Sequence, residues 1–204
     1  MQGAHDWYKT LTNMYDKLGY TTLRADPCVR YKANSDEYTI TDTSTDDVFG
    51  VSKTDREIVK RKEEIGKEWE IKDVVENEYF LGMRVQQDLT LGTICLSQCP
   101  YWEHVANRFK LTHTPLHNTP LPVGIVLDHD MSPKTESKKA QMADKPYRSI
   151  LGSLMWGQLA MHPDLSFAVS LLSRFQSNPG IEHWKALMHV VGYVLNVEHV
   201  ICLT

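Results

Sequence analysis

Two adjacent carboxylates, Asp46 and Asp47, are the side chains of this sequence with the clearest chemical potential. Neighbouring side chains on a regular strand point to opposite faces, so two carboxylates converge on one point only where the chain turns. The polar run from Ser44 to Asp47 predicts such a turn. Carboxylates held together suit a magnesium ion that binds substrate phosphates. The same pair in a turn rich in Ser and Thr is also typical of an ordinary solvated loop.

The elements around the pair predict a hairpin with the acid at its tip. Residues 38–51 read YTITDTSTDDVFGV, in which apolar residues alternate with threonines before the turn and resume after it. A helix predicted over residues 5–18 precedes the hairpin and ends at Gly19. Its apolar residues recur at helical spacing: Trp7, Leu11, Met14 and Leu18. Residues 28–31 predict a further strand, so the acid tip belongs to a small antiparallel sheet backed by a helix.

The middle of the chain predicts a helix, a second hairpin and another helix. Thr54 and Asp55 can cap the first helix, whose apolar face is Ile58, Ile65 and Trp69. Residues 80–85 and 93–97 predict the hairpin. Pro100 can open the next helix, with Tyr101, Val105 and Phe109 on one face, and residues 112–122 are then extended by three prolines.

The C-terminal third predicts three helices that pack as a bundle. Their apolar stripes are Ile150, Leu151, Leu154, Met155 and Leu159; Leu165, Ala168, Leu172 and Phe175; and Trp184, Leu187, Met188, Val191, Val194 and Leu195. His162, His183 and His189 lack ligand spacing on one helix, so we interpret them as surface or core residues. The fold class predicted for the whole chain is α+β.

Composition indicates a soluble, intracellular protein. The 204 residues, 42% of them hydrophobic, suffice for one domain or two small ones. No signal peptide or transmembrane segment is evident, which predicts a cytoplasmic or nuclear location without a membrane partner. The four cysteines are scattered, which predicts free thiols rather than zinc ligands or disulfides: Cys28, Cys95, Cys99 and Cys202.

Two basic clusters bear on nucleic-acid binding, although the formal net charge is −4. The first is interleaved with glutamates and is more typical of a helix with compensating ion pairs: Lys53, Arg56, Lys60, Arg61 and Lys62. The second fits either a phosphate track or a flexible linker: Lys134, Lys138, Lys139, Lys145 and Arg148.

Several segments resemble the reverse transcriptase, an RNA-directed DNA polymerase, of copia-type LTR retrotransposons. The strand, Asp-Asp turn and second strand resemble the polymerase hairpin, whose usual form is Tyr-x-Asp-Asp. Residues 2–20 (QGAHDWYKTLTNMYDKLGY) resemble the segment that follows the nucleotide-binding glutamine and glycine. Residues 71–85 (IKDVVENEYFLGMRV) and 93–109 (TICLSQCPYWEHVANRF) resemble the primer-grip hairpin and the first thumb helix. Residues 146–187, which begin PYRSILGSLMWG, resemble the helical region leading towards an RNase H domain.

The resemblance implies nucleotidyl transfer by a two-metal mechanism in the intact parent enzyme. Asp46 would ligate Mg²⁺ and Asp47 would support it, while Gln2 and Gly3 would line the incoming nucleotide. The primer grip would be carried by Phe80, Leu81, Gly82 and Met83, although an ordinary buried strand pair fits that segment equally well. The implied partners are an RNA/DNA primer-template, dNTP and the remainder of the polyprotein.

The resemblance also implies a domain order: partial palm at 1–92, thumb start and Pro-rich connector at 93–122, polar linker at 123–145, and helical connection region at 146–204. Two departures from the family pattern predict a truncated enzyme that is inactive alone. The upstream catalytic aspartate is not in the sequence, and Ser44 stands where the hairpin's aromatic residue is usual. The alternatives left open are a non-catalytic nucleic-acid-binding remnant and a structural or protein-interaction fragment; a metal-dependent nuclease fits less well.

Overall fold

The computed structural model describes residues 2–72, 79–197 and 200–203. Within these ranges it contains seven α-helices and eight strands in two antiparallel sheets, which confirms the predicted α+β class. The chain divides into two compact units, Met1–Glu76 and Asn77–Thr204. We call them unit 1 and unit 2 and describe each by itself.

Unit 1 is a four-stranded sheet with two helices. Its elements in chain order are α1 (Gln2–Lys17), β1 (Thr21–Thr22), β2 (Val29–Ala33), β3 (Tyr38–Ser44), β4 (Asp47–Ser52) and α2 (Asp55–Glu68). The strands pair in sequence order, β1-β2-β3-β4. The predicted helix, strand and central hairpin are therefore confirmed. Thr54 is the N-cap of α2, and its hydroxyl accepts a hydrogen bond from the Glu57 backbone N–H at 3.3 Å.

The interior of unit 1 combines a small apolar core with a polar layer. The core residues are Leu11, Met14, Tyr15, Tyr20 and Ile65. The threonines of β3 face inward, and the apolar residues between them face outward: Thr39, Thr41 and Thr43 are buried, whereas Tyr38 and Ile40 are exposed. Buried polar partners explain this orientation, because each hydroxyl finds a hydrogen-bonding group inside unit 1.

Buried charges occupy the inner face of α2. The Arg61 guanidinium donates to the carboxylates of Glu57 and Glu64, and Lys32 reaches Glu64 at 3.4 Å. The sequence predicted compensating ion pairs here, and this prediction is confirmed for Arg61. The pairs are more buried than a surface helix would make them, since Arg61 and Glu57 are among the buried residues of the helix.

Unit 2 begins and ends in one sheet. Its strands are β5 (Tyr79–Phe80), β6 (Met83–Asp88), β7 (Thr93–Ser97) and β8 (Val200–Leu203), paired in the order β5-β6-β7-β8. The β7–β8 register sets Cys95 opposite Cys202, and a disulfide joins their sulfurs. The prediction of four free thiols is therefore wrong for this pair. The pairing brings together residues 107 positions apart, which cysteine spacing alone does not reveal.

The helices of unit 2 pack around one apolar core. They are α3 (Cys99–Phe109), α4 (Glu136–Ala140), α5 (Tyr147–Met161), α6 (Ser166–Ser173) and α7 (Ile181–Asn196), with short 3-10 helices at His129–Met131 and Pro163–Leu165. Residues of α3, α5, α6 and α7 form the buried cluster, which confirms the predicted packing of the three C-terminal helices. His162 and His183 are buried, in agreement with a core role.

Two details of unit 2 concern the buried face of α5 and the segment that precedes this helix. Met155 and Leu159 are not part of the core, because the buried face of α5 passes through Leu151, Leu154 and Gly157 and leaves Leu159 81% exposed. Segment 123–145, described above as a polar linker, contains one 3-10 helix and α4, and Ile125 and Leu127 pack against the core.

Gly157 is required by close packing. A Cβ atom placed there would lie 2.2 Å from Cζ2 of Trp102, whose indole is buried against α5. The Trp102 Nε1–H donates a hydrogen bond to Nε2 of His162 at 3.0 Å, which fixes the orientation of the indole. Only a residue without a side chain fits between this ring and the α5 backbone.

Candidate active site

The two aspartates lie at the tip of the β3–β4 hairpin, as predicted. Ser44 pairs with Asp47 across the hairpin, so Thr45 and Asp46 form a two-residue loop. Thr45, the first residue of this loop, has a positive φ of 58°, a backbone conformation that is uncommon for a residue with a side chain. Both carboxylates are exposed, and no ion pair or side-chain hydrogen bond engages them within the described residues. The turn thus presents two adjacent carboxylates that are available to a cation.

The register fixes the face on which Asp47 lies. Directly opposite residues of an antiparallel pair share a face, so Asp47 shares one with Ser44 and with the pair formed by Asp42 and Phe49. The buried threonines of β3 occupy the opposite face. Asp47 therefore projects from the open face of the sheet, away from the interior of unit 1.

A tryptophan of α1 contacts the turn. The Trp7 indole Nε1–H donates a hydrogen bond to the Thr45 carbonyl oxygen at 2.8 Å. The same indole stacks on Trp69, the C-cap residue of α2, with ring centroids 5.0 Å apart. Helical spacing placed Trp7 on the packing face of α1, but no sequence signal indicated that its N–H reaches a turn 38 residues away.

A tyrosine of α1 contacts the inner face of the strand that leads to the turn, and a buried arginine lies over the ring of this tyrosine. Tyr15 shares a hydrogen bond with the Thr43 hydroxyl at 3.4 Å, and the Arg30 guanidinium lies 4.7 Å from the centroid of the Tyr15 ring. Arg30 is 1% exposed, and it donates to the Thr12 hydroxyl and to a backbone carbonyl. Within the described residues no carboxylate pairs with it. The inner side of the hairpin therefore holds a buried guanidinium whose partners are a hydroxyl, a backbone carbonyl and an aromatic ring.

The strand β4 forms the open edge of the unit 1 sheet. It follows β3 in the strand order and has no further partner among the residues described. All six of its residues are exposed or half-buried. An unpaired edge of this kind is a template for pairing with another strand.

The other predicted site residues lie apart from the turn in sequence and, in part, in the other unit. Gln2 and Gly3 form the first turn of α1; the side chain of Gln2 is outside the described residues, and Gly3 is exposed with no atom within 4 Å of its Cβ position. Phe80–Met83 belong to unit 2, and residues 73–78 of the primer-grip-like segment lie outside the described residues.

The predicted primer-grip strand is in fact a tight turn. Phe80 pairs with Met83, and the two residues between them both have positive φ, 50° at Leu81 and 77° at Gly82. The prediction of one continuous strand from 80 to 85 is therefore wrong, because these two φ values reverse the chain as a type I′ turn does.

The described residues contain two acids at the tip and no complete metal site. Nowhere in the ranges that the structure covers do three or more His, Cys, Asp or Glu side chains come together in a way that could hold a metal ion. The donor chemistry of Asp46 and Asp47 fits magnesium, but a further ligand must come from outside this set.

None of the described helices combines the length and apolar character needed to cross a membrane.

Comparison with known proteins gives the family of the chain. Residues 1–123, more than half of the chain, match the family described as reverse transcriptase (RNA-dependent DNA polymerase). The chain is 34% identical to the retrovirus-related Pol polyprotein from transposon TNT 1-94 of Nicotiana tabacum, over 95% of its own length and 15% of that protein. The chain is 28% identical to the putative transposon Ty5-1 protein of Saccharomyces cerevisiae, and the match covers 92% of this chain and 59% of the yeast protein.

A third relative, the retrovirus-related Pol polyprotein from transposon RE1 of Arabidopsis thaliana, is 26% identical over 95% of this chain and 13% of its own length. The chain thus spans only part of these relatives. No solved structure matches it significantly. The family match covers the hairpin, both helices of unit 1 and the start of unit 2, so the chain belongs to the reverse transcriptase (RNA-dependent DNA polymerase) family.

Proposed function

We propose that this chain is a segment of a copia-type retrotransposon polyprotein and supplies part of the active site of its RNA-directed DNA polymerase. The observation that carries the proposal is the turn at residues 45–46, which presents the exposed carboxylates of Asp46 and Asp47 within a segment that matches the family. The relatives named as Pol polyproteins of transposons support the same reading. In this proposal unit 1 is part of the palm, and the helices of unit 2 form the thumb start and connection region.

Asp46 and Asp47 would hold magnesium, which neutralises negative charge on phosphoryl oxygens when it is bound. The role of the protein is to keep the two carboxylates at a fixed separation before substrate arrives, so that no reorganisation is needed during the reaction. A third carboxylate would be added on a strand that pairs with the open edge of β4. These 204 residues alone are then inactive, since two carboxylates do not complete the site.

The nucleotide and the primer would meet residues outside the turn. Gly3 at the start of α1 leaves open space for an incoming dNTP, and Gln2 is its neighbour in the same helical turn. The type I′ turn at Leu81 and Gly82 would contact the primer, because no atom lies within 4 Å of the Gly82 Cβ position and a strand of nucleic acid can approach the backbone.

Primer extension on an RNA template tests the proposal. The chain is assayed with magnesium, first alone and then with the polyprotein segment that precedes the matched region of the tobacco relative supplied in trans. We expect extension only with the added segment, lost in Asp46→Asn and retained in Asp16→Asn. Asp16 is an exposed aspartate of α1 and so controls for the loss of one charge.

Extension by the chain alone would contradict the proposed incompleteness of the site. If the folded chain fails with the added segment as well, Ser44→Tyr restores the aromatic residue usual at this position and should recover activity. Failure of that variant would rule out a competent half-site at the turn.

A second candidate function is nucleic-acid binding without catalysis. The open face of the unit 1 sheet exposes two tyrosines, Tyr31 and Tyr38, beside Ile40 and Val51. Exposed aromatic rings on a sheet are suited to stacking with unpaired bases. Binding of single-stranded RNA that weakens with salt, and is reduced by Tyr31→Ala, would support this function; no binding at low salt would refute it.

A further inference from the structure

The tip of the β3–β4 hairpin adopts a conformation that its own sequence disfavours. Thr45 lies in the left-handed region at φ 58°, a conformation that glycine adopts without a steric cost. A β-branched residue is a marked outlier at positive φ. Such strain, of the order of 1–3 kcal/mol, persists only where surrounding contacts determine the conformation. A contact from outside the turn must therefore hold Thr45 in place.

That contact comes from Trp7. Its indole N–H donates to the Thr45 carbonyl oxygen at 2.8 Å, within the ideal range for N–H···O. Its ring stacks on Trp69 at 5.0 Å with an interplanar angle of 25°. Trp69 is in turn fixed at the end of α2, where its backbone N–H donates to the Ile65 carbonyl at 3.0 Å. The turn is thereby tied to both helices of unit 1.

We infer that Trp7 is a positioning residue for the Asp46–Asp47 pair, an inference that rests on the proposed function. The Thr45 carbonyl belongs to the peptide that joins Thr45 to Asp46. A hydrogen bond to this oxygen fixes the rotation of that peptide, and with it the direction in which the Asp46 side chain leaves the backbone. The Trp7 N–H donates to the Thr45 carbonyl and not to a carboxylate, so we infer that it acts on metal binding through the turn.

The inference is tested on the full chain with Mn²⁺, which shares the oxygen-ligand preference of magnesium and broadens nearby NMR signals. Trp7→Phe keeps an aromatic ring for the stack and removes the N–H donor. We expect amide hydrogen exchange at residues 45–47 to become about fivefold faster, the effect of one lost hydrogen bond. The Mn²⁺ dissociation constant read from Asp46 and Asp47 should rise roughly two- to fivefold, because fewer molecules hold the competent turn.

The control is Trp156→Phe, which changes an exposed tryptophan of unit 2 in the same way and should alter neither quantity. Affinity is measured where every variant is fully folded, so a loss of global stability does not affect it. If Trp7→Phe leaves the Mn²⁺ affinity unchanged, whether or not exchange accelerates, the positioning role is refuted. If the unmodified chain shows no Mn²⁺ effect at Asp46 and Asp47, the titration is repeated with the polyprotein segment that supplies the third carboxylate. No effect in its presence either would refute the proposed metal site.

A second variant covers the case in which Trp7→Phe does not fold. Trp69→Leu keeps the indole donor of Trp7 and removes the ring on which it stacks. We expect a smaller effect, about twofold on both exchange and affinity, because the donor is present but less well held. No change in either quantity for this variant would overturn the inference.

Discussion

Replacing Gly157 with alanine is expected to destabilise unit 2, although alanine is the better helix former. The new Cβ would lie 2.2 and 2.3 Å from Cζ2 and Cη2 of Trp102, so the two groups would have to separate by at least about 1.2 Å to reach an ordinary contact of 3.4 Å. The Trp102 ring is buried, and it is a rigid group that cannot swing aside.

The magnitude follows from three contributions. Overpacking of a core costs about 1–3 kcal/mol. Displacing the indole also weakens the 3.0 Å hydrogen bond from Trp102 to His162, a further cost of about 1 kcal/mol. Replacing glycine with alanine inside a helix stabilises the helix by about 1 kcal/mol. The net loss expected for Gly157→Ala is therefore about 2 kcal/mol in the free energy of unfolding.

Gly152→Ala is the matched control, since Gly152 lies on the exposed side of the same helix with no atom within 4 Å of its Cβ position. This variant should gain about 1 kcal/mol from propensity alone. The assay is amide hydrogen exchange of unit 2 under native conditions, because a chain with two compact units can unfold in two steps. Equal stabilisation by both substitutions would refute the close packing of Trp102 on α5.

Two further predictions concern the turn and the pH dependence. Thr45→Gly should raise the free energy of unfolding of unit 1 by about 0.5 kcal/mol, because relief of strain at positive φ outweighs the added entropy of the unfolded chain. Amide exchange of unit 1 measures this change, and a loss of stability would contradict the prediction. Burial, then a hydrogen bond to Asp164, raises the pKa of Tyr193 from 10.0 to about 12. The folded state thus keeps a proton that the unfolded chain loses, so the stability of unit 2 should fall from pH 10 to about 12. Tyr193→Phe should reduce that fall when urea unfolding is followed at a series of pH values.

The hairpin and its acid tip were predictable because their signals are local. Alternation before and after a polar turn determines both strands, and the adjacent carboxylates can only meet where the chain reverses. The capped start of α2 at Thr54 and the stop of α1 at Gly19 are equally local, since each depends on a few neighbouring residues.

The contacts that complete the site were not predictable, because they depend on tertiary geometry. Thr45 carries no sign that a tryptophan 38 residues earlier reaches its carbonyl. The inward direction of the β3 threonines follows from buried partners on other elements, whereas alternation alone fits either face. Leu81 gives no indication of positive φ, so the sequence predicts a continuous strand where the structure has a turn at Leu81 and Gly82.

The pairing of β7 with β8 sets an order of events during synthesis. Residues 94–97 lie opposite residues 200–203, and all five helices of unit 2 are encoded between the two strands. The helical core can therefore assemble while the edge of β7 is still unpaired, and β7 pairs with β8 only after β8 has left the ribosome. Contacts this distant in sequence slow folding, because a long loop must close before they form. During that interval the exposed edge of β7 is the part of unit 2 most open to pairing with a neighbouring chain.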